Sequence, residues 1–185
     1  MTRSNCAYST KQVQLMNRLR KLWSQHVMWT RSFIISTAAE AGDLEAVTRR
    51  LLRNPIDFED LLRPFYGAGT ADQFQQLFTQ HLLIAADLVD AAKNNDEAAV
   101  QTARTAWYKN ADDIAAFLGS INANWIAGKW RNMLYRHLDM TEQEATLRLQ
   151  GRFADDVRLY DAIEEEALHM ADYMSRGLIR QFSVR

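Results

Sequence analysis

Histidine is the residue of this chain best suited to chemistry, and three of its four copies sit in related strings. Leu22-Trp23-Ser24-Gln25-His26 returns as Leu77-Phe78-Thr79-Gln80-His81, 55 residues later. A fainter echo surrounds His137, where Trp130, Met133 and Leu134 answer Phe74, Leu77 and Phe78 at an offset of 56. Imidazole is the commonest metal ligand and the side chain that titrates nearest neutrality. On a helix each residue advances about 100°, so facing can be read from spacing. His26 falls on the face of Leu15, Leu19, Leu22 and Phe33; His81 on that of Phe74, Leu77, Ala85 and Leu88; His137 on that of Ile126, Trp130, Met133 and Leu134. Three imidazoles are therefore expected to point into a core.

A helical bundle lets separate helices aim ligands at one point. Three histidines with one or two carboxylates suit zinc or non-haem iron, and an open coordination position would allow activation of water or oxygen, with a carboxylate as base. The carboxylate candidates lie on the last helix, whose apolar face runs through Phe153, Val157, Tyr160, Ile163, Ala167, Ala171, Met174 and Leu178. Asp156 lies near the centre of that stripe and Glu164 on its edge. Thr30, Trp29, Trp107 and Asn110 are expected to line the same site, with Asn110 brought level with His81 by hairpin geometry. Glu166 and His169 have the E-x-x-H spacing of di-iron bundles, yet they read as an exposed pair on the charged face. Arg31 faces away from His26 and reads as a surface ion-pair residue. Arg49, Arg50 and Arg53 read as solvated charge. The competing function is a non-enzymatic scaffold or interaction module, whose buried histidines only satisfy hydrogen bonds within the core. A haem on His26 and His81 is disfavoured, because no C-x-x-C-H is present.

The elements that must position these residues are almost all helical. Ser9 and Gln12 form a capping box that opens a helix running to about Ala41. Asp43 is expected to cap a second helix, interrupted at Asn54-Pro55, where proline fits the first turn of a new one. Thr70 and Gln73 read as another capping box, for a helix ending near Lys93, and a fourth helix spans 97–120. Asn124 is expected to cap a helix through Met140, Thr141 and Glu144 a short piece to Gly151, and a last helix spans 152–182. The expectation is an all-α bundle of about six helices, a single domain over 10–182 behind a 1–9 leader. It would be built as antiparallel hairpins 10–65, 71–120 and 125–182, with Asn54 matching Asn110 and no counterpart in the third unit.

Composition agrees. Of 185 residues, 48% are hydrophobic and 24% charged, which argues against wholesale disorder. Two prolines and seven glycines are too few for a turn-rich β-fold. Twenty-two basic residues against 23 acidic leave a net charge of −1, so no basic footprint for nucleic acid or an anionic membrane is expected. The single cysteine, Cys6, has no intramolecular partner, and no apolar run suggests a signal peptide or membrane helix. A cytoplasmic location is the expectation.

Five segments in order resemble an uncharacterised bacterial family of small helical proteins: LWSQHVMWTRSFIIS, LFTQHLLIAADLVDAAK, WYKNADDIAAFLGSIN, MLYRHLDMT and EEALHMADYM. The resemblance covers about residues 19–182. Some members carry the label acetylglutamate kinase, which these residues do not support. A kinase of that kind needs strands and a glycine-rich loop to cradle phosphates, so no nucleotide cofactor is expected.

Overall fold

The computed structural model describes residues 8–185; most of the expected leader, with Cys6, lies outside the described residues. Seven helices account for nearly all of the described residues, and no strand occurs among them: α1 (Thr10–Ala38), α2 (Leu44–Leu52), α3 (Asn54–Tyr66), α4 (Ala68–Lys93), α5 (Glu97–Ile121), α6 (Ala127–Leu149) and α7 (Phe153–Gln181). The expected all-α bundle is what the chain forms. No helix among the described residues is long and apolar enough to cross a membrane.

Local signals explain most boundaries. The Ser9 hydroxyl accepts from the Gln12 N–H and the Gln12 side chain accepts from the Ser9 N–H, the reciprocal box expected for α1. Asp96 caps α5 through the Ala99 N–H. Pro55 sits in the first turn of α3, where its missing N–H is no loss. Gly67, at φ +79°, is the lone hinge between α3 and α4, a conformation costly for a residue with a Cβ.

Four expected caps differ. Asn124 does not cap α6, whose N-terminal flanking residue is Ile126 and which has no side-chain cap. No side-chain cap forms at Thr70, because α4 already begins at Ala68 behind Gly67. Asp43 precedes α2 but accepts from the Ser36 hydroxyl at 2.8 Å instead of capping. Thr141 and Glu144 start no new helix, since α6 runs unbroken through them. Thr141 is buried and its hydroxyl donates to the His137 carbonyl at 2.8 Å, while Glu144 is drawn to Arg31 at 2.5 Å.

The cross-helix contacts fix the architecture. Antiparallel neighbours follow one another along the chain, as in Leu22 with Asn54, Leu77 with Asn110, Arg104 with Glu142 and Arg136 with Glu166. The first and last long helices then close on each other, Gln12 meeting Val184, Arg20 meeting Asp172 and Arg31 meeting Asp156. Helices α1, α4 and α6 thus run parallel and touch one another at the centre, while α2–α3, α5 and α7 return along the outside, each packed on two of them. The core is strongly aromatic: Trp23, Phe58, Phe74, Phe78, Trp125 and Trp130 are all essentially inaccessible. Gly177 lets α7 approach the 122–126 loop, because a Cβ there would lie 1.8 Å from the Trp125 indole nitrogen.

Candidate metal centre

One histidine comes from each inner helix. Because α1, α4 and α6 are parallel and in register, His26, His81 and His137 fall in a single layer, each 1% exposed. Each can offer a ring nitrogen within 4.8 Å of the other two. The closest pair, His26 Nε2 and His137 Nε2, are 3.3 Å apart. Trp23 packs edge-on to His26 at 5.8 Å and Phe78 lies 4.9 Å from the same ring, closing the N-terminal side of the layer.

Outer helices hold two of the rings. Asn110 on α5 donates its amide N–H to the Leu77 carbonyl at 3.1 Å, which fixes the amide so that Oδ1 faces His81 Nδ1 at 3.0 Å. An amide oxygen only accepts, so Nδ1 of His81 carries the proton and Nε2 keeps a free lone pair. Asn54 on α3 has the same anchor, donating to the Leu22 carbonyl at 3.0 Å. It lies against His26 and favours the charged imidazole as an acceptor would, but the contact is looser, since Asn54 Oδ1 and His26 Nδ1 each lack a partner at bonding geometry. Both carbonyls belong to the residue four before the histidine. His137 Nδ1 is buried and also has no partner.

Burial makes all three imidazoles neutral bases. It pushes His81 down to about 4. Burial, with the neighbouring His81, brings His137 to about 3. His26 is held well below its ordinary value by burial first and by the two other histidines second. Neutral imidazole with a bare nitrogen is the form that binds a metal.

On the C-terminal side of the layer lies a small cavity of about 10 Å³, almost wholly apolar. Its lining includes Thr30, Ala85 and Thr141, which stand one turn beyond the three histidines, and Trp107, whose ring is 5.4 Å from His81. The Thr30 and Thr141 hydroxyls donate at 2.8 Å to the carbonyls of His26 and His137. That volume is close to what a single water needs.

The expected carboxylate ligands are not part of this layer. Asp156 is fully buried, as its stripe position implies, but it takes the Arg31 guanidinium through two bonds of 2.5 and 3.1 Å, and Arg148 at 3.5 Å. Glu164 is exposed. The buried stripe of α7 passes through Ile163, Glu166, Met170 and Tyr173, rotated away from Glu164 relative to the face expected; Phe153 and Val157, counted on that face, are more than half exposed. Trp29 is also outside the site: it packs beside Phe33, Val47 and Leu51 in a smaller cluster, with the Arg50 guanidinium 5.2 Å above its ring.

Two features escaped the sequence reading. Arg31 is no surface residue: it bridges Glu144 and Asp156 and lies 4.8 Å over the Tyr160 ring. Burial pushes Glu144 up to about 7 despite Arg31. This cluster sits about two helical turns along the axis from the histidines, too far to supply a ligand. The second is Glu166, which is 5% exposed and not on the charged surface; its contacts are long ones to Arg136 at 3.4 Å and His169 at 3.9 Å. A signal for it was present, since residue 166 follows Asn110 by the same 56 positions that separate Asn110 from Asn54.

No protein-family model, curated protein or solved structure matches this chain, so the chemistry of the site rests on its residues.

Proposed function

We propose that the chain binds one divalent transition-metal ion, zinc or non-haem iron, through His26, His81 and His137. The observation that carries this reading is convergence: three imidazoles from distant stretches of sequence meet in an apolar core with nitrogens within 4.8 Å of one another. The donor set fits the ion. Two nitrogens on a tetrahedral zinc stand ~3.3–3.4 Å apart for bonds of about 2.0–2.1 Å, and His26 and His137 already meet that separation at 3.3 Å. His81 needs only a small inward shift, with its free lone pair prepared by Asn110.

Three neutral ligands leave a fourth position. Aromatic rings fill one side of the layer, and the cavity one turn to the other side is lined by Thr30, Ala85 and Thr141 rather than by the histidines themselves. When bound, the ion would supply Lewis acidity at its open position. The chain contributes orientation through Asn54 and Asn110 and exclusion of bulk water through Trp23, Phe78 and Trp107. A space of about 10 Å³ is at the lower limit for one water and excludes an organic substrate while the helices stay closed. This favours a structural or small-ligand metal site over turnover of a large substrate.

The scaffold reading has one specific observation in its favour: His26 and His137 can hydrogen-bond directly, so the layer can hold itself together without an ion. Elemental analysis of protein purified without a histidine tag, paired with melting curves in zinc, cobalt and ferrous iron, separates the two. Stoichiometric metal and a raised Tm support the metal site. Metal-free protein whose Tm is unmoved by any of these ions assigns the histidines to the scaffold.

A further inference from the structure

We infer that Glu166 is the third partner of the histidine layer: with a cation bound, its carboxylate accepts the Nδ1–H of His137 and forms a carboxylate–histidine–metal chain. This rests on the metal reading above.

The bundle's threefold arrangement leads to it. Each inner helix presents one histidine, and each outer helix can place one polar side chain behind it. Asn54 on α3 stands behind His26 and Asn110 on α5 behind His81, both anchored to the carbonyl four residues before their histidine. Helix α7 packs beside α6 as α5 packs beside α4. Advancing 56 residues from Asn110, the step from Asn54 to Asn110, arrives at Glu166. That residue is buried, and its contacts are long ones to the exposed Arg136 and His169. His137 Nδ1 is buried and partnerless. A buried nitrogen with no partner and a carboxylate held only by long ion pairs therefore occupy matching places on neighbouring helices, and leaving the nitrogen unmet is costly.

Proton positions explain why they do not bond without an ion. The 3.3 Å contact between two Nε2 atoms needs a proton on one of them. Asn54 Oδ1, although not at bonding geometry, favours a proton on His26 Nδ1; in that tautomer His137 is the donor and its own Nδ1 is a bare lone pair. A carboxylate gains nothing there and turns to Arg136. A cation that takes the Nε2 lone pair of His137 sends that proton to Nδ1, with no net loss, and creates the donor Glu166 lacks. Charge points the same way. A divalent ion among three neutral imidazoles carries +2 into an apolar core, and Glu166 is the one anion at an outer position, where Asn54 and Asn110 offer none.

The test uses the full chain with Zn(II) and Co(II) in competition with a chelator, together with long-range ¹H–¹⁵N NMR of the imidazoles. Glu166→Ala should weaken both metals about 10–100-fold, and Glu166→Gln should recover part of that loss through its amide oxygen. Arg136→Ala should tighten binding severalfold, because it releases Glu166; a purely structural Glu166–Arg136 pair predicts the reverse. His137 should change from the Nε2–H to the Nδ1–H tautomer on zinc binding, a readout that survives if the Glu166 variants fail to fold. Wild-type protein that takes up stoichiometric zinc while E166A and R136A bind within about twofold of it overturns this inference and leaves the metal reading standing. Wild-type protein that takes up no metal overturns both.

Discussion

Mild acid should destabilise this core well before ordinary carboxylates titrate. In the unfolded chain a histidine has a pKa of about 6.5, whereas the folded values are about 4 for His81 and about 3 for His137, with His26 also well below normal. Below pH 6.5 the unfolded chain thus binds protons that the folded chain refuses, and stability falls with pH. From pH 7.5 to 5.5 His81 and His137 each cost ~1.4 kcal/mol, and His26 adds to the loss in the same direction. Glu144 opposes this. Its folded value of about 7 lies above that of an unfolded glutamate, so the native state gains a proton over the same range. That returns ~2 kcal/mol and leaves a net loss of ~1 kcal/mol from His81 and His137, which His26 enlarges; ~1 kcal/mol corresponds to a drop in Tm of roughly 2–4 °C for a chain of this size. Guanidinium unfolding of chelator-treated protein across this pH range, at fixed ionic strength, measures it directly. Glu144→Gln removes the opposing proton and should steepen the loss to ~3 kcal/mol or more. Stability that stays flat or rises between pH 7.5 and 5.5 would refute the reasoning, because it would mean that the layer accepts protons as readily as the unfolded chain.

Four further outcomes follow from the same geometry. His81→Ala should cost about 1–3 kcal/mol in metal-free protein, and His169→Ala, on the exposed face of α7, less than about 0.5 kcal/mol, by denaturant titration. With metal present, the His26→Ala and His81→Ala losses should be strongly non-additive; a cycle that closes additively would mean the two do not share an ion. Asn110→Ala strands the Leu77 carbonyl and His81 Nδ1, so it should lower both stability, by about 1–3 kcal/mol, and metal affinity, by about 10–100-fold. Arg31→Met leaves Glu144 and Asp156 facing each other without their shared cation, at a cost of about 3–5 kcal/mol in unfolding experiments near neutral pH.

The layer itself was legible because its signal is local. A histidine at the centre of an apolar stripe declares its direction, and recurrence at 55 and 56 residues put three of them at corresponding heights of parallel helices. The Ser9–Gln12 box and the Asn94–Asp96 break were readable for the same reason: the partners lie within a few residues. Arg31 shows where such reading stops. It does face away from His26, as its angle on the helix says, but α7 covers that side, and only tertiary packing makes it a partly buried charge. Asp156 was rightly placed inside and wrongly paired, since an inward carboxylate does not announce whether a histidine or an arginine will meet it. Glu164 and Glu166 were exchanged because the apolar stripe of α7 drifts along its 29 residues, and its exposed first turns biased the estimated centre.

The seam between α1 and α7 has a kinetic consequence. It joins the two ends of the described chain, so no short connection holds it shut, and its charged latches, Arg20–Asp172 and Arg31–Asp156, are made from opposite ends of the sequence. The helices from α4 to α7 are linked by short loops. Peeling α1 away removes His26 from the layer and opens a route for solvent to His81 and His137. On the metal reading, exchange of a bound ion and hydrogen exchange at the core of α1 would be the same excursion seen by two clocks. The residence time of the ion would be set by how often the first helix lets go of the last, more than by the strength of any one bond to nitrogen.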